Sequence, residues 1–199
     1  MRRTRNRPIV SGAIRPYFAL SFGVILNIVA FGILTQWANL LSALLTLSAT
    51  LFYVFVYTIG LKRSTSQNIV VGGAAGAIPP LVGWAAVTGN LMDTTPLFLF
   101  TLIFLWTPPH FWALSLILKD DYAEAGIPMM PVISGIKATK KQIFIYTWLL
   151  LALLPSAYLL TDSFSEIFWG SALLLTVIFI FFAWRLLKSQ GIETAKATY

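Results

Sequence analysis

Six apolar runs, at roughly 16–36, 39–59, 69–88, 95–118, 142–161 and 165–187, govern what this chain can fold into, and none carries Lys, Arg, Asp or Glu in its middle. About 20 apolar residues cross the ~30 Å of bilayer hydrocarbon as a helix. Inside lipid every backbone polar group must find a partner within the protein, which favours helices. The two-residue alternation of barrel strands is absent from these runs. The expected fold class is therefore all-α, a polytopic transmembrane helix bundle forming one membrane domain over 1–199. Composition agrees, with 58% hydrophobic and 11% charged residues. A soluble domain carries about 25% charged residues. Too few charges remain to solvate a globular surface, which argues against a water-soluble enzyme, a disordered chain and a classical nucleic-acid binder. The absence of cysteine rules out a disulfide scaffold and thiolate metal sites.

The net charge of +7 is distributed, not diffuse. All 14 basic residues fall in the N-terminal segment, the loops near 62 and 119–141, and the tail. The alternate loops have none and carry Asp93, Asp162 and Glu166. The positive-inside rule then places both termini and the basic loops in the cytoplasm. No secretory signal peptide is recognisable, because the first apolar run is full membrane length and lacks a small-residue cleavage site. A bacterial plasma membrane and a mitochondrial inner membrane are both compatible with the sequence, and the compact loops favour the bacterial one, with the lipid bilayer as the first partner.

Two segments on the basic side exceed what topology requires. Tyr57 is followed by Lys62, Arg63, three hydroxyl residues, Gln67 and Asn68. Arg offers a bidentate fork and Lys a point charge, a pair suited to polyphosphate. A juxtamembrane anchor, with Tyr57 in the interfacial aromatic belt, is the plainer alternative. The second segment holds Asp120, Asp121 and Glu124. Acids contribute little to orientation, whereas Mg²⁺ commonly binds through one or two carboxylates plus substrate phosphates. A solvated loop beside a helix terminus is the alternative. Cations for phosphate and carboxylates for metal, on one face, describe a diphosphate site.

Two spans contain breaks: Gly72-Gly73-Ala74-Ala75-Gly76-Ala77-Ile78-Pro79-Pro80, and Trp106-Thr107-Pro108-Pro109-His110. Proline removes a helix donor, and irregular backbone at depth is tolerated where it lines a cavity. A cavity between these spans is expected; kinked helix packing is the alternative. His110, the only histidine, lies about eight residues, roughly 12 Å by helical rise, from the basic end of its span. Intramembrane ionisable groups face the protein interior. Its options are a proton carrier, an iron ligand, a hydrogen-bond donor, or a buried ring satisfied by a carbonyl that Pro109 frees. Tyr57, Trp84, Trp106, Phe111 and Trp112 are candidates to line the cavity, where π faces can shield a carbocation or accommodate an isoprenoid or a flat macrocycle.

Together, the run from Asn68 to Trp84, the run Trp106-Thr-Pro-Pro-His-Phe-Trp-Ala-Leu114 and the run from Asp120 to Met129 resemble the protoheme IX farnesyltransferases, a branch of the intramembrane UbiA-type prenyltransferases. The resemblance extends from Met1 to Tyr199. It implies transfer of farnesyl from farnesyl diphosphate to a vinyl group of heme B, giving heme O and diphosphate, with heme B as substrate and Mg²⁺ as cofactor. It implies Asp120 and Asp121 as metal ligands. Arg3, Arg7, Lys62, Arg63 and Asn68 would hold diphosphate, Tyr57 would shield the allylic cation, and His110 would contact heme or move a proton. A heme A synthase is the partner it suggests. Members of the family resemble nine-helix bundles, and six spans are present here. Met1-Arg-Arg-Thr-Arg-Asn-Arg-Pro8 resembles the run that follows the family's acidic motif. The expectation is a fragment, with two helices preceding Met1 and one following Tyr199. The competing readings are a UbiA-type enzyme with an aromatic or quinone-precursor acceptor, a small transporter, and a non-enzymatic assembly subunit. Confinement of the charged groups to one face argues against a carrier.

Overall fold

A computed structural model describes residues 6–192 and 194–199. Helix α1 (Pro16–Trp37) opens on a proline at its first turn, where a missing donor costs nothing. Helix α2 (Leu40–Leu51) starts at Asn39, whose side chain accepts from Ser42 N–H at 2.9 Å. It continues without interruption into a π-helix, Phe52–Leu61. The wider winding is visible in Lys62 N–H donating to Tyr57 O at 2.8 Å and in Thr58 Oγ1 donating to Tyr53 O, each five residues back. Next come α3 (Asn68–Ala77) and α4 (Pro79–Thr88), which together form one span. Helices α5 (Thr94–Ile117), α8 (Gly135–Leu160) and α9 (Glu166–Lys188) are the remaining long ones. Short helices α6 (Lys119–Glu124), α7 (Met130–Ile133) and α10 (Ala195–Thr198) lie at the basic end. Six spans are long and apolar enough to cross a membrane, and the described residues contain no strand.

The two proline pairs behave differently. Pro79-Pro80 separates α3 from α4, because a proline starts a helix easily and continues one poorly. Pro108-Pro109 does not interrupt α5, contrary to the expected break. The fixed φ of proline is helical, so the chain keeps its course while the carbonyls of Phe104 and Leu105 lose their usual donors. Thr107 Oγ1 donates to Ile103 O at 2.7 Å in the same turn. Helix α8 begins at Gly135, ahead of the apolar run at 142. Its first turns accommodate Lys140, only 3% exposed, which donates through Nζ to Ser189 O, Ser189 Oγ and Gly191 O at 2.9, 3.1 and 2.6 Å.

Hydrogen bonds tie the ends of the bundle together. Away from the basic loops, Asn39 Nδ2 donates to Ala85 O at 2.5 Å, and Thr94 Oγ1 to Leu160 O at 2.6 Å. Thr95 Oγ1 lies 2.8 Å from Thr161 Oγ1 and 2.7 Å from Ser163 Oγ. The spine is α5, packed on α3, α8 and α10. Trp112, Leu116, Ile143, Ala183 and Leu186 form its core toward the basic end; Phe98, Leu154, Ala157 and Trp169 form a second core at the other. Large side chains such as Leu20, Phe22, Ile28, Leu159 and Ile167 point outward and exposed. That distribution suits hydrocarbon, where outward apolar groups cost nothing. The protein is an integral membrane protein.

Candidate functional site

Between the second span, α3 and α5 lies a cavity of about 570 Å³. Its walls are nearly all apolar: Ala49, Ile69, Ala75, Ile103, Trp106 and Phe111, with glycines 72, 73 and 76 contributing bare backbone. Small-molecule sites commonly measure about 300–1,000 Å³. The lining runs from Phe111 back to Ile103 on α5, two turns or roughly 12 Å of helical rise. Tyr57 stands at the wall on the π-helix, with Tyr53 beside it at 5.3 Å between ring centroids. Glycine is required opposite. A Cβ at Gly72 would overlap the Tyr57 ring, and one at Gly73 would lie 3.0 Å from Thr107 Cγ2. Tyr53 and Thr107 line the cavity without having been singled out in the sequence; the four-residue step from Tyr53 to Tyr57 was the available signal.

The polar groups gather where α3 starts. Asn68 is 1% exposed. Its Nδ2 donates to Lys62 O at 3.3 Å, while its Oδ1 is buried without a hydrogen-bond partner. An orphaned buried acceptor costs about 1–3 kcal/mol, so this atom is suited to something that binds there. Lys62 is half-buried and Arg63 exposed. The acidic segment folds as α6, with exposed Asp120 and half-buried Asp121 in its first turn, rather than as open loop. It is anchored beside Asn68, because Ile69 shares a buried cluster with Ile127 and Met129, against which Tyr122 and Ala125 pack. Packing thus brings the Lys62–Asn68 segment and the α6 segment to one end of the bundle. Among the described residues, no group of three or more His, Asp or Glu side chains gathers.

Other candidates are placed elsewhere. Trp106 and Phe111 line the cavity. Trp112, 1% exposed, packs in the core, edge-on to Tyr146. Trp84 sits in α4 beyond the proline pair, near the opposite end of its span, and is not among the lining residues. Arg7 lies in an exposed, turn-rich segment preceding α1. Arg3 lies outside the described residues. His110 Nδ1 is 2.8 Å from Tyr199 O, so its partner is a carbonyl of the tail rather than one freed by Pro109.

The class is that of the prenyltransferases: the chain belongs to the UbiA prenyltransferase family, whose sequence model matches residues 1–199. Within that family the chain is similar to proteins named protoheme IX farnesyltransferase. The one from Picosynechococcus sp. is 56% identical over 189 residues, covering 94% of this chain and 58% of the relative. The one from Rippkaea orientalis is 51% identical over 189 residues, covering 94% and 57%. The one from Leptospira biflexa is 50% identical over 196 residues, covering 98% and 69%. The chain thus spans somewhat over half the length of the first two. No solved structure matches it.

Proposed function

We propose that the chain serves the transfer of a farnesyl group from farnesyl diphosphate to a vinyl group of heme B, yielding heme O and diphosphate. One observation carries this reading beyond the family: an apolar cavity whose rim, at Tyr57 and Ile69, adjoins Asn68 and the cations next to it. The isoprenoid tail occupies the cavity and the diphosphate stays at the rim. Lys62 and Arg63 neutralise it, and Arg7 and Arg3 are further cations of the same basic end. Asp120 and Asp121 would hold a Mg²⁺, an ion that commonly binds through one or two carboxylates plus substrate phosphates. The metal, when bound, withdraws charge from the leaving diphosphate. Tyr57 presents a π face to the allylic carbon as positive charge develops, and the apolar walls exclude stray water. Trp84 and Trp112 act on substrate only through the packing they support. The basic end faces the cytoplasm of a bacterial plasma membrane, and a heme A synthase is the enzyme class that would consume the product.

Membranes carrying the chain, supplied with heme B, farnesyl diphosphate and Mg²⁺, are expected to form heme O. Asp121→Asn should lower the rate by about 10²–10³, the scale for loss of one transition-state charge stabiliser, and EDTA should abolish it. Product from an aromatic acceptor and none from heme B would move the assignment to the quinone-precursor branch. An Asp121→Asn variant with unchanged rate would remove the metal assignment.

A further inference from the structure

Buried Lys140 spends its donors on Ser189 and Gly191, whereas the cations around it are left open. Lys137 and Lys141 on α8, and Arg185 and Lys188 on α9, are all exposed. Among the described residues none of the four meets a carboxylate, and Arg185 has only the Phe181 ring, with its guanidinium carbon 5.9 Å from the centroid. The Lys140 bonds also place the two helix ends side by side, because Ser189 directly follows α9. Exposed Lys196 joins them on α10, which Thr198 Oγ1 ties to α9 by donating to Phe182 O at 3.4 Å. The described acids of this end, Asp120, Asp121 and Glu124, lie on α6, which packs on α5 and α7.

Charge that only orients a span can sit anywhere on its flank. These cations instead head two matched stripes. On α8, Lys137, Lys141, Ile145 and Trp148 follow one another at helical spacing, and Ile145 and Trp148 are exposed. On α9, Lys188, Arg185, Trp184 and Phe181 do the same, with Trp184 and Phe181 exposed. The buried residues Ile143, Thr147, Ala183 and Leu186 take the other sides of the two helices. Seven residues, roughly 10 Å of helical rise, separate Lys141 from Trp148 and Lys188 from Phe181. Each stripe therefore has a cationic zone above an apolar one, the profile that complements a phosphate above acyl chains. Basic clusters beside a span attract anionic headgroups. We propose that the outward face of α8 and α9 at the basic end is a site for an anionic phospholipid, with Lys137, Lys141, Arg185 and Lys188 holding its phosphate. None of these four belongs to the diphosphate site proposed above, so the lipid site stands apart from the farnesyl-transfer reading.

The full 199-residue chain in neutral detergent is titrated with phosphatidylglycerol and, separately, with phosphatidylcholine of the same acyl chains, and bound lipid is counted by native mass spectrometry. Membrane orientation plays no part in that measurement. Wild type should retain phosphatidylglycerol in preference, and the preference should weaken with added salt. Replacing all four cations, Lys137→Gln, Lys141→Gln, Arg185→Gln and Lys188→Gln, should cost about fivefold in phosphatidylglycerol affinity per cation, the scale of one such contact, and leave phosphatidylcholine binding unchanged. Circular dichroism checks the helicity of that variant, and the pairs Lys137→Gln with Lys141→Gln and Arg185→Gln with Lys188→Gln give the same reading with less change to the fold. Arg15→Gln with Lys119→Gln, two cations of the same end off this face, should keep the preference. Equal retention of the two lipids by wild type overturns the site, as does an equal loss in the Arg15 and Lys119 control. Displacement of the lipid by inorganic phosphate at constant ionic strength would reassign the face to a small anion and overturn the lipid.

Discussion

Lys140 shows how a single side chain can hold a segment that lies far from it in sequence. A buried ammonium is tolerable only when its donors are used, and here they are used on the backbone and hydroxyl of 189–191. Lys140→Met keeps the volume and removes the donors. It is expected to raise hydrogen exchange across 189–199 while leaving α5 protected; unchanged exchange in the tail would show that the lysine does not hold it. Asp93 acts on a smaller scale. Thr95 N–H donates to its Oδ1 at 2.7 Å, and this bond holds the carboxyl below the ordinary carboxylate range. A depressed acid stabilises the fold fully above its unfolded pKa, about 3.9, and the contribution is lost as pH falls through the lower folded value. The difference in thermal midpoint between wild type and Asp93→Ala should therefore be constant from pH 5 to 8, about the range where carboxylates stay ionised, and shrink under stronger acid. Neither role was readable from residue type. Lys140 resembled the flanking lysines, and Asp93 gave only a loop charge; their partners lie in the folded arrangement.

At the scale of elements, the second span and α3 are matched to each other. The π-helix carries Tyr57 and Tyr53 along the cavity, and such windings recur at functional sites. Glycine at 72 is what lets the Tyr57 ring lie against α3. Gly72→Ala is expected to push the ring into the cavity. A destabilisation of about 1–3 kcal/mol, the usual range for overpacking, should appear as a lower unfolding midpoint in detergent. Tyr57→Ala combined with Gly72→Ala should recover much of that loss, because the overlap is with this ring. Simple additivity of the two costs would refute the contact. Small residues let helices approach closely, but the glycine-rich run does not name its partner. The π winding left no periodic signature, since an all-apolar run has no polar face to mark its phase. The proline pairs were legible as anomalies. Their outcomes were not, because proline is at home in a first turn and costly within a helix only when neighbours do not absorb the change.

For the whole molecule, the alternation of basic and non-basic loops implies that residues 63 and 120 emerge on one side of the bilayer and residues 90 and 162 on the other. Since the chain lacks cysteine, single cysteines at these four positions can be labelled with an impermeant maleimide in sealed vesicles. Positions 63 and 120 should react together and apart from 90 and 162; labelling of 63 and 120 from opposite sides would overturn the proposed diphosphate site. Sequence by itself determined the helical class, the number of spans and their alternating direction. Those follow from the cost of unpaired backbone in hydrocarbon and from the placement of charge, both of which are local properties of the chain. It also singled out the cations and carboxylates of the basic end, because ionisable residues beside apolar runs are conspicuous. Only the tertiary structure decided which of the aromatic residues face the cavity and which fill the core, and that His110 is clamped by Trp106 and a tail 89 residues away. In a chain apolar on every face, hydrophobicity no longer distinguishes inside from outside. The choice then rests on shape complementarity between helices, which exists only once they have packed.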